Sequence, residues 1–172
     1  MAKQAFLVID MLNDFILPGA PLEVPKAREI ISTLKGEIDE ARRNEIPIIY
    51  ICDAHKPNDP EFKIWPKHCV KGTKGAEVVS ELKPEKGDFI VPKTTYSGFY
   101  KTKLDNLLKK LKVKKLIVSG ILTNICVLYT VSDATLRGYP VTVLKNCVTS
   151  LTDEEHNFAL RQMEKVLKAK IV

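Results

Sequence analysis

The chain has 172 residues, 45% hydrophobic and 28% charged, an ordinary composition for a globular protein with a core of its own. No apolar run reaches the roughly 18 residues of a membrane span, and the N-terminus MAKQAFLVID lacks a signal-peptide pattern, so one cytoplasmic domain over 1–172 with no membrane partner is expected. Much of the net charge of +6 sits in KTKLDNLLKKLKVKK (101–115), on lysines opposite a leucine stripe and without an aromatic or glycine-rich reader, so nucleic acid is not an expected partner.

AFLVID (5–10) is a continuous apolar run, the pattern of a strand buried on both faces. VPKAREIISTLKGEIDEARRNE follows, with Ile30, Ile31, Leu34, Ile38 and Ala41 at helical spacing and Pro25 suited to the first turn. IPIIYIC (46–52) is a second strand, and the stretch after it, CDAHKPNDPEFKIWPKHC (52–69), has neither helical nor strand periodicity. A helix is predicted near 75–82, a strand at DFIVPK (88–93), and a helix on the leucine stripe of Leu104, Leu107, Leu108 and Leu111. KKLIVSGIL (114–122) is a fourth strand, and TNICVLYTVSDATLRG (123–138) is a helix stopped by Gly138. YPVTVLKNCV is a fifth strand. TDEEHNFALRQMEKVLKA is a helix opened by a capping box of Thr152 and Glu155, and KIV a short sixth strand. Such an alternation predicts a three-layer α/β/α fold around a mostly parallel, roughly six-stranded sheet.

Sheets of this kind place their sites at the carboxyl ends of strands. Asp10, Asp53, Lys93 and Cys126 all fall at or just past predicted strand ends and should share one rim. Cys126 belongs to the first turn of its helix, where backbone N–H groups and the helix dipole favour a thiolate and would hold an oxyanion. Asp10 and Lys93 are the candidates for its proton acceptor and orienting charge. Taken singly, such a cysteine is commonly a core residue, and a strand-end Asp or Lys a cap or a solvated charge. Their joint placement is what points to nucleophilic chemistry. The 52–69 stretch adds two of the three histidines, three carboxylates and the only tryptophan.

FLVIDMLNDF, VPKTTYSGF and SGILTNICVLYTVSDATLRGY together resemble the isochorismatase-like cysteine hydrolases, and D-A-H followed by E-F-K-I-W-P-K-H is similar to the nicotinamidases among them. The resemblance implies a catalytic triad of Asp10, Lys93 and Cys126, and a cis peptide at Ile121–Leu122 that turns the N–H groups of Leu122 and Cys126 toward an oxyanion. It also implies a site for one divalent metal ion on Asp53, His55, Glu61 and His68. Two imidazoles and two carboxylates suit Zn²⁺, and Mn²⁺ or Fe²⁺ would accept the same donors. Phe15, Trp65 and Tyr96 match positions that line a ring pocket in similar enzymes. The implied substrate is a small amide, nicotinamide, hydrolysed through a thioester on Cys126.

This sequence departs from the usual nicotinamidase pattern in having Ala54 where tryptophan is common and Asn124 where an acidic residue is frequent. Asp59 reads as a turn residue beside Pro60, Cys52 and Cys147 as packing, and His156 as lying near the exposed start of the last helix. Cys52 and Cys69 flank the metal candidates, at a spacing that fits no common structural-zinc pattern. The rival functions are another amidase of the superfamily acting on a carbamoyl or ureido compound, a vinyl-ether hydrolase, which Cys126 argues against, and a silent binding protein that keeps the fold. Homo-oligomers are frequent in the superfamily and compatible with this chain.

Overall fold

The computed structural model describes residues 3–172. Six strands, β1 (Gln4–Ile9), β2 (Ile48–Asp53), β3 (Phe89–Lys93), β4 (Lys115–Ile121), β5 (Val141–Thr149) and β6 (Lys170–Ile171), form one sheet in the order β3-β2-β1-β4-β5-β6. Every neighbouring pair is parallel, so the sheet is wholly rather than mostly parallel among the described residues. β2 is buried along its whole length and β1 from Ala5 onward, which is why both read as unbroken apolar runs.

Alternate side chains of these strands feed two cores. Leu7, Ile9, Ile49 and Ile51 face a layer made by α3 (Leu104–Lys110), α4 (Leu128–Leu136) and α5 (Asp153–Lys165). Phe6, Val8, Ile48 and Tyr50 face α2 (Ala27–Arg43), which follows the one-turn α1 (Asn13–Ile16) and buries Ala27, Ile30, Leu34, Ile38 and Ala41 along one stripe. Each fully buried Leu or Ile contributes about 1.5–3 kcal/mol by leaving water, so this stripe anchors α2. The capping box opens α5 as predicted, with Thr152 Oγ1 accepting from the Glu155 amide and Glu155 Oε2 from the Thr152 amide, both at 3.2 Å.

Three predicted elements differ. The helix expected near 75–82 is replaced by two 3₁₀ turns, Lys74–Ala76 and Ser80–Leu82. The backbone between them pairs with the segment after β1: Asn13 N donates to Glu77 O and Val79 N to Met11 O, and Leu12 bridges Val78. That extended pairing claims the groups a helix would have used. The leucine-striped helix is short, because the chain turns at Lys112 with φ +57°. The segment after β4 begins as a single π-helical turn, Thr123–Val127, before α4 takes over. Turns of this kind recur at functional sites.

β3 is an edge strand, which lets it carry Pro92 without losing a ladder bond to a further strand. The chain order reverses between β1 and β4, and this switch opens a crevice at the carboxyl end of the sheet.

Candidate active site

Asp10 is the first residue past β1 and holds a left-handed φ of +52°, uncommon outside glycine and least costly for Asp or Asn. That turn lowers its carboxyl into the crevice, where Oδ1 accepts from the Asp53 amide at 2.9 Å and Oδ2 lies 2.7 Å from Lys93 Nζ. Lys93 ends β3, beside Asp53 at the end of β2, and its ammonium also contacts Asp53 Oδ1. The same Nζ reaches Cys126 Sγ at 3.5 Å. Cys126 sits in the π-helical turn, half-buried and lining the same cavity as Asp10. The Ile121–Leu122 peptide that leads into this turn is cis.

The electrostatics follow from burial. Removal from water, reinforced by the neighbouring Asp53, pushes the Asp10 carboxyl up to about 6 against the pull of Lys93. Burial also works against Asp53, yet the Lys93 ammonium and the two histidines hold its carboxyl below the ordinary range. Burial disfavours the Lys93 ammonium too, and two flanking carboxylates overcome it and raise the amine well above its usual value. The Cys126 thiol is likewise pushed up, by burial first and then by Asp10 and Asp53, with only Lys93 opposing. Burial first, and the two carboxylates after it, favour the thiol over the resting thiolate that the helix start led us to expect. What the arrangement offers instead is a thiol beside a carboxylate able to take its proton.

The 52–69 stretch folds back on the end of β2. The His55 amide donates to Cys69 O and the Lys71 amide to His55 O, both at 2.9 Å, so residues distant in sequence return as a short parallel bridge. This return brings His68 to His55, their ring centroids 4.7 Å apart. Asp53 Oδ2 lies 3.5 Å from His55 Nε2 and 3.6 Å from His68 Nε2, and one donor atom from each residue falls within 4.8 Å of the others. His55 is wholly buried, and both its ring nitrogens lack a well-formed hydrogen bond among the described residues. Buried polar atoms are rarely left so, and a cation held by Asp53, His55 and His68 would satisfy Nε2. Glu61 stands apart from that trio, grouping instead with His55 and Asp59, while sharing the cavity lining with Asp53 and His68.

A cavity of about 340 Å³ joins the two clusters, within the range of small-molecule sites. Phe15, Trp65 and Tyr96 all line it; the Trp65 indole donates to the Tyr96 hydroxyl at 3.2 Å, and Phe15 packs on His68 with centroids 5.5 Å apart.

Several contributors were not foreseen. Phe62 packs against both His55 and His68, at 5.4 and 5.6 Å; its place beside Glu61 in the histidine-rich stretch was the available signal. Asp59 is more than a turn residue, since its Oδ2 lies 3.2 Å from His55 Nδ1. His156 lies near the exposed start of α5 as expected but is itself half-buried, with Nδ1 2.9 Å from the hydroxyl of Thr123, which is buried in the π-helical turn. Ser150 Oγ donates to Asn124 Oδ1 at 2.9 Å, a second tie between that turn and the end of β5. Cys52, Cys69 and Cys147 are buried and unpaired, and Cys69 Sγ points to Gly75 O.

A doubly wound parallel sheet gathers a cysteine, an aspartate and a lysine at its switch point. The chain belongs to the isochorismatase family, whose domain matches residues 4–171. It is similar to a pyrazinamidase/nicotinamidase from Streptococcus mutans (33% identity, TM-score 0.94, 99% of this chain and 100% of that one). It is similar also to a pyrazinamidase of Pyrococcus horikoshii in complex with zinc (33%, 0.93, 99% and 98%). An N-carbamoylsarcosine amidase from Thermoplasma acidophilum is comparably close (34%, 0.90, 98% and 95%). No helix among the described residues is long and apolar enough to cross a membrane.

Proposed function

We propose that this protein is a cysteine amidohydrolase that works with one divalent cation, zinc favoured over manganese or iron, and converts nicotinamide to nicotinate and ammonia. The observation that carries this reading is a single cavity lined by Cys126, Asp10, Asp53, His68 and aromatic walls, with Lys93 in contact with Asp10 and Cys126 and His55 grouped with Asp53 and His68.

Cys126 Sγ attacks the carboxamide carbon as its proton passes to the Asp10 carboxylate. The oxyanion so formed is held by the N–H groups of Leu122 and Cys126. Asp10 then returns the proton to the amide nitrogen, the C–N bond breaks and ammonia leaves, with the acyl group held as a thioester. Water attacks the thioester carbon, giving its proton to Asp10, and collapse of the second tetrahedral species returns that proton to sulfur and frees the acid. Throughout, Lys93 keeps Asp10 oriented and offsets the charge that builds on sulfur. Phe15, Trp65 and Tyr96 sandwich the ring. Asp53, His55 and His68, with Glu61 as a further candidate, would hold a divalent cation, which would supply Lewis-acid attraction for the pyridine nitrogen.

A second reading, hydrolysis of a carbamoyl compound, is supported by the likeness to the N-carbamoylsarcosine amidase. The deciding experiment measures ammonia release, with zinc supplied, from nicotinamide, pyrazinamide, N-carbamoylsarcosine and simple ureido compounds. The expected result is a clear preference for the pyridine amide. Preference for a carbamoyl substrate transfers the assignment to the second reading, and silence on the whole panel leaves the fold without this chemistry.

A further inference from the structure

Both imidazoles of the donor set have an oxygen facing Nδ1, hydrogen-bonded in His68 and close but off line for a well-formed hydrogen bond in His55. His68 has Nδ1 2.7 Å from Pro66 O and Nε2 turned to Asp53; His55 has Nδ1 3.2 Å from Asp59 Oδ2 and Nε2 turned to the same Asp53 oxygen. A neutral imidazole carries one N–H and one lone pair. An oxygen facing Nδ1 keeps the N–H there and leaves the Nε2 lone pair for a cation. For His68 that oxygen is a backbone carbonyl; for His55 it is the Asp59 carboxylate. The other oxygen of Asp59 is also engaged, since Oδ1 accepts from the Glu61 amide at 3.0 Å and caps the Pro60–Lys63 turn.

We propose that Asp59 is a positioning residue of the metal centre. One of its oxygens sets the His55 tautomer so that Nε2 ligates, and the other holds the turn that carries Glu61 to the cavity. The inference rests on the metal-binding part of the reading above and is independent of the substrate.

The test measures zinc affinity of the metal-free wild type, Asp59→Asn and Asp59→Ala by competition with a chromogenic chelator, alongside the melting temperature of each metal-free protein. Asparagine keeps an oxygen for the Glu61 amide but turns an NH₂ group to His55 Nδ1, which must then accept and move the ring proton to Nε2. The expected result is one equivalent of zinc in the wild type and an affinity about 10- to 100-fold weaker in Asp59→Asn, at an unchanged metal-free melting temperature. Histidine ¹⁵N shifts of metal-free Asp59→Asn should show the proton moved to Nε2 of one ring. Asp59→Ala also loses the cap and should melt earlier, which is why Asn is the deciding variant. Wild-type affinity in Asp59→Asn overturns the proposal while leaving the metal centre intact. A wild type that binds no zinc removes the centre and this role together. Two equivalents in the wild type, one of them lost with Asp59, would make Asp59 a ligand of a second cation and equally overturn it.

Discussion

Asp10 is a carboxyl kept in the interior between an ammonium and a second carboxylate, and its function depends on which of them dominates. Burial and Asp53 raise it to about 6 despite Lys93, whereas an exposed Asp titrates near about 4. The mechanism needs Asp10 ionised, because only then can it take the Cys126 proton. On the proposed mechanism the site would be idle while Asp10 is protonated, below about pH 6, and ready above it. We therefore expect kcat/KM for the amide to fall on the acid side with an apparent pKa near 6, the property of the Asp10–Lys93–Cys126 group as a unit. An acid limb at the ordinary carboxylate position would show that Asp10 is not the proton acceptor. At this scale the sequence disclosed residues whose position follows from a strand end, namely Asp10, Asp53, Lys93 and Cys126. It concealed the roles of Asp59 and His156, because each depends on where a loop or a neighbouring helix returns in space.

Among the elements, the start of the nucleophile turn depends on how closely β4 approaches β1. Gly120 pairs with Ile9 at φ +106°, and a Cβ there would stand 2.0 Å from the Ile9 carbonyl oxygen and 2.6 Å from its nitrogen. Backbone cannot yield as a flexible side chain does. Gly120→Ala should cost on the order of 3 kcal/mol or more, combining steric overlap with a strained φ, and should displace Asp10, the residue after Ile9. Chemical denaturation checks the first expectation, and a wild-type stability would contradict it. The strands, α2 and α5 were legible because apolar spacing and a capping box are local properties. The stretch 74–82 was not: Val78 and Val79 are drawn into extended pairing with Met11–Asn13, a long-range contact no local pattern announces. The π-helical turn at Cys126 escaped as well; it is tied to Ser150 and His156, contacts that only the folded chain creates.

For the whole molecule, the donor set joins parts of the chain that would otherwise be held by loop contacts alone. Asp53 closes a central strand, His55 opens the long excursion and His68 ends it, so a cation bound to all three ties the loop to the sheet. A ligand that binds only the folded state stabilises it by mass action, by about 2.7 kcal/mol at a hundredfold excess over its dissociation constant. Adding zinc should raise the melting temperature, and a chelator should return it to the metal-free value; a melting temperature indifferent to both would contradict a metal centre. The fold class was legible from β-α alternation, and the convergence of four strand ends followed from the topology rule for such sheets. The packing around the donor set was less so, because Phe62 and Phe15 meet His68 only after the excursion has folded back. Ammonia release from nicotinamide by Cys126→Ala, measured beside the zinc-loaded wild type, asks whether the sulfur of Cys126 forms the bond to the substrate. The expected outcome is a loss of about 10⁴-fold or more in a variant that remains folded; turnover at the wild-type rate would show that the sulfur forms no such bond.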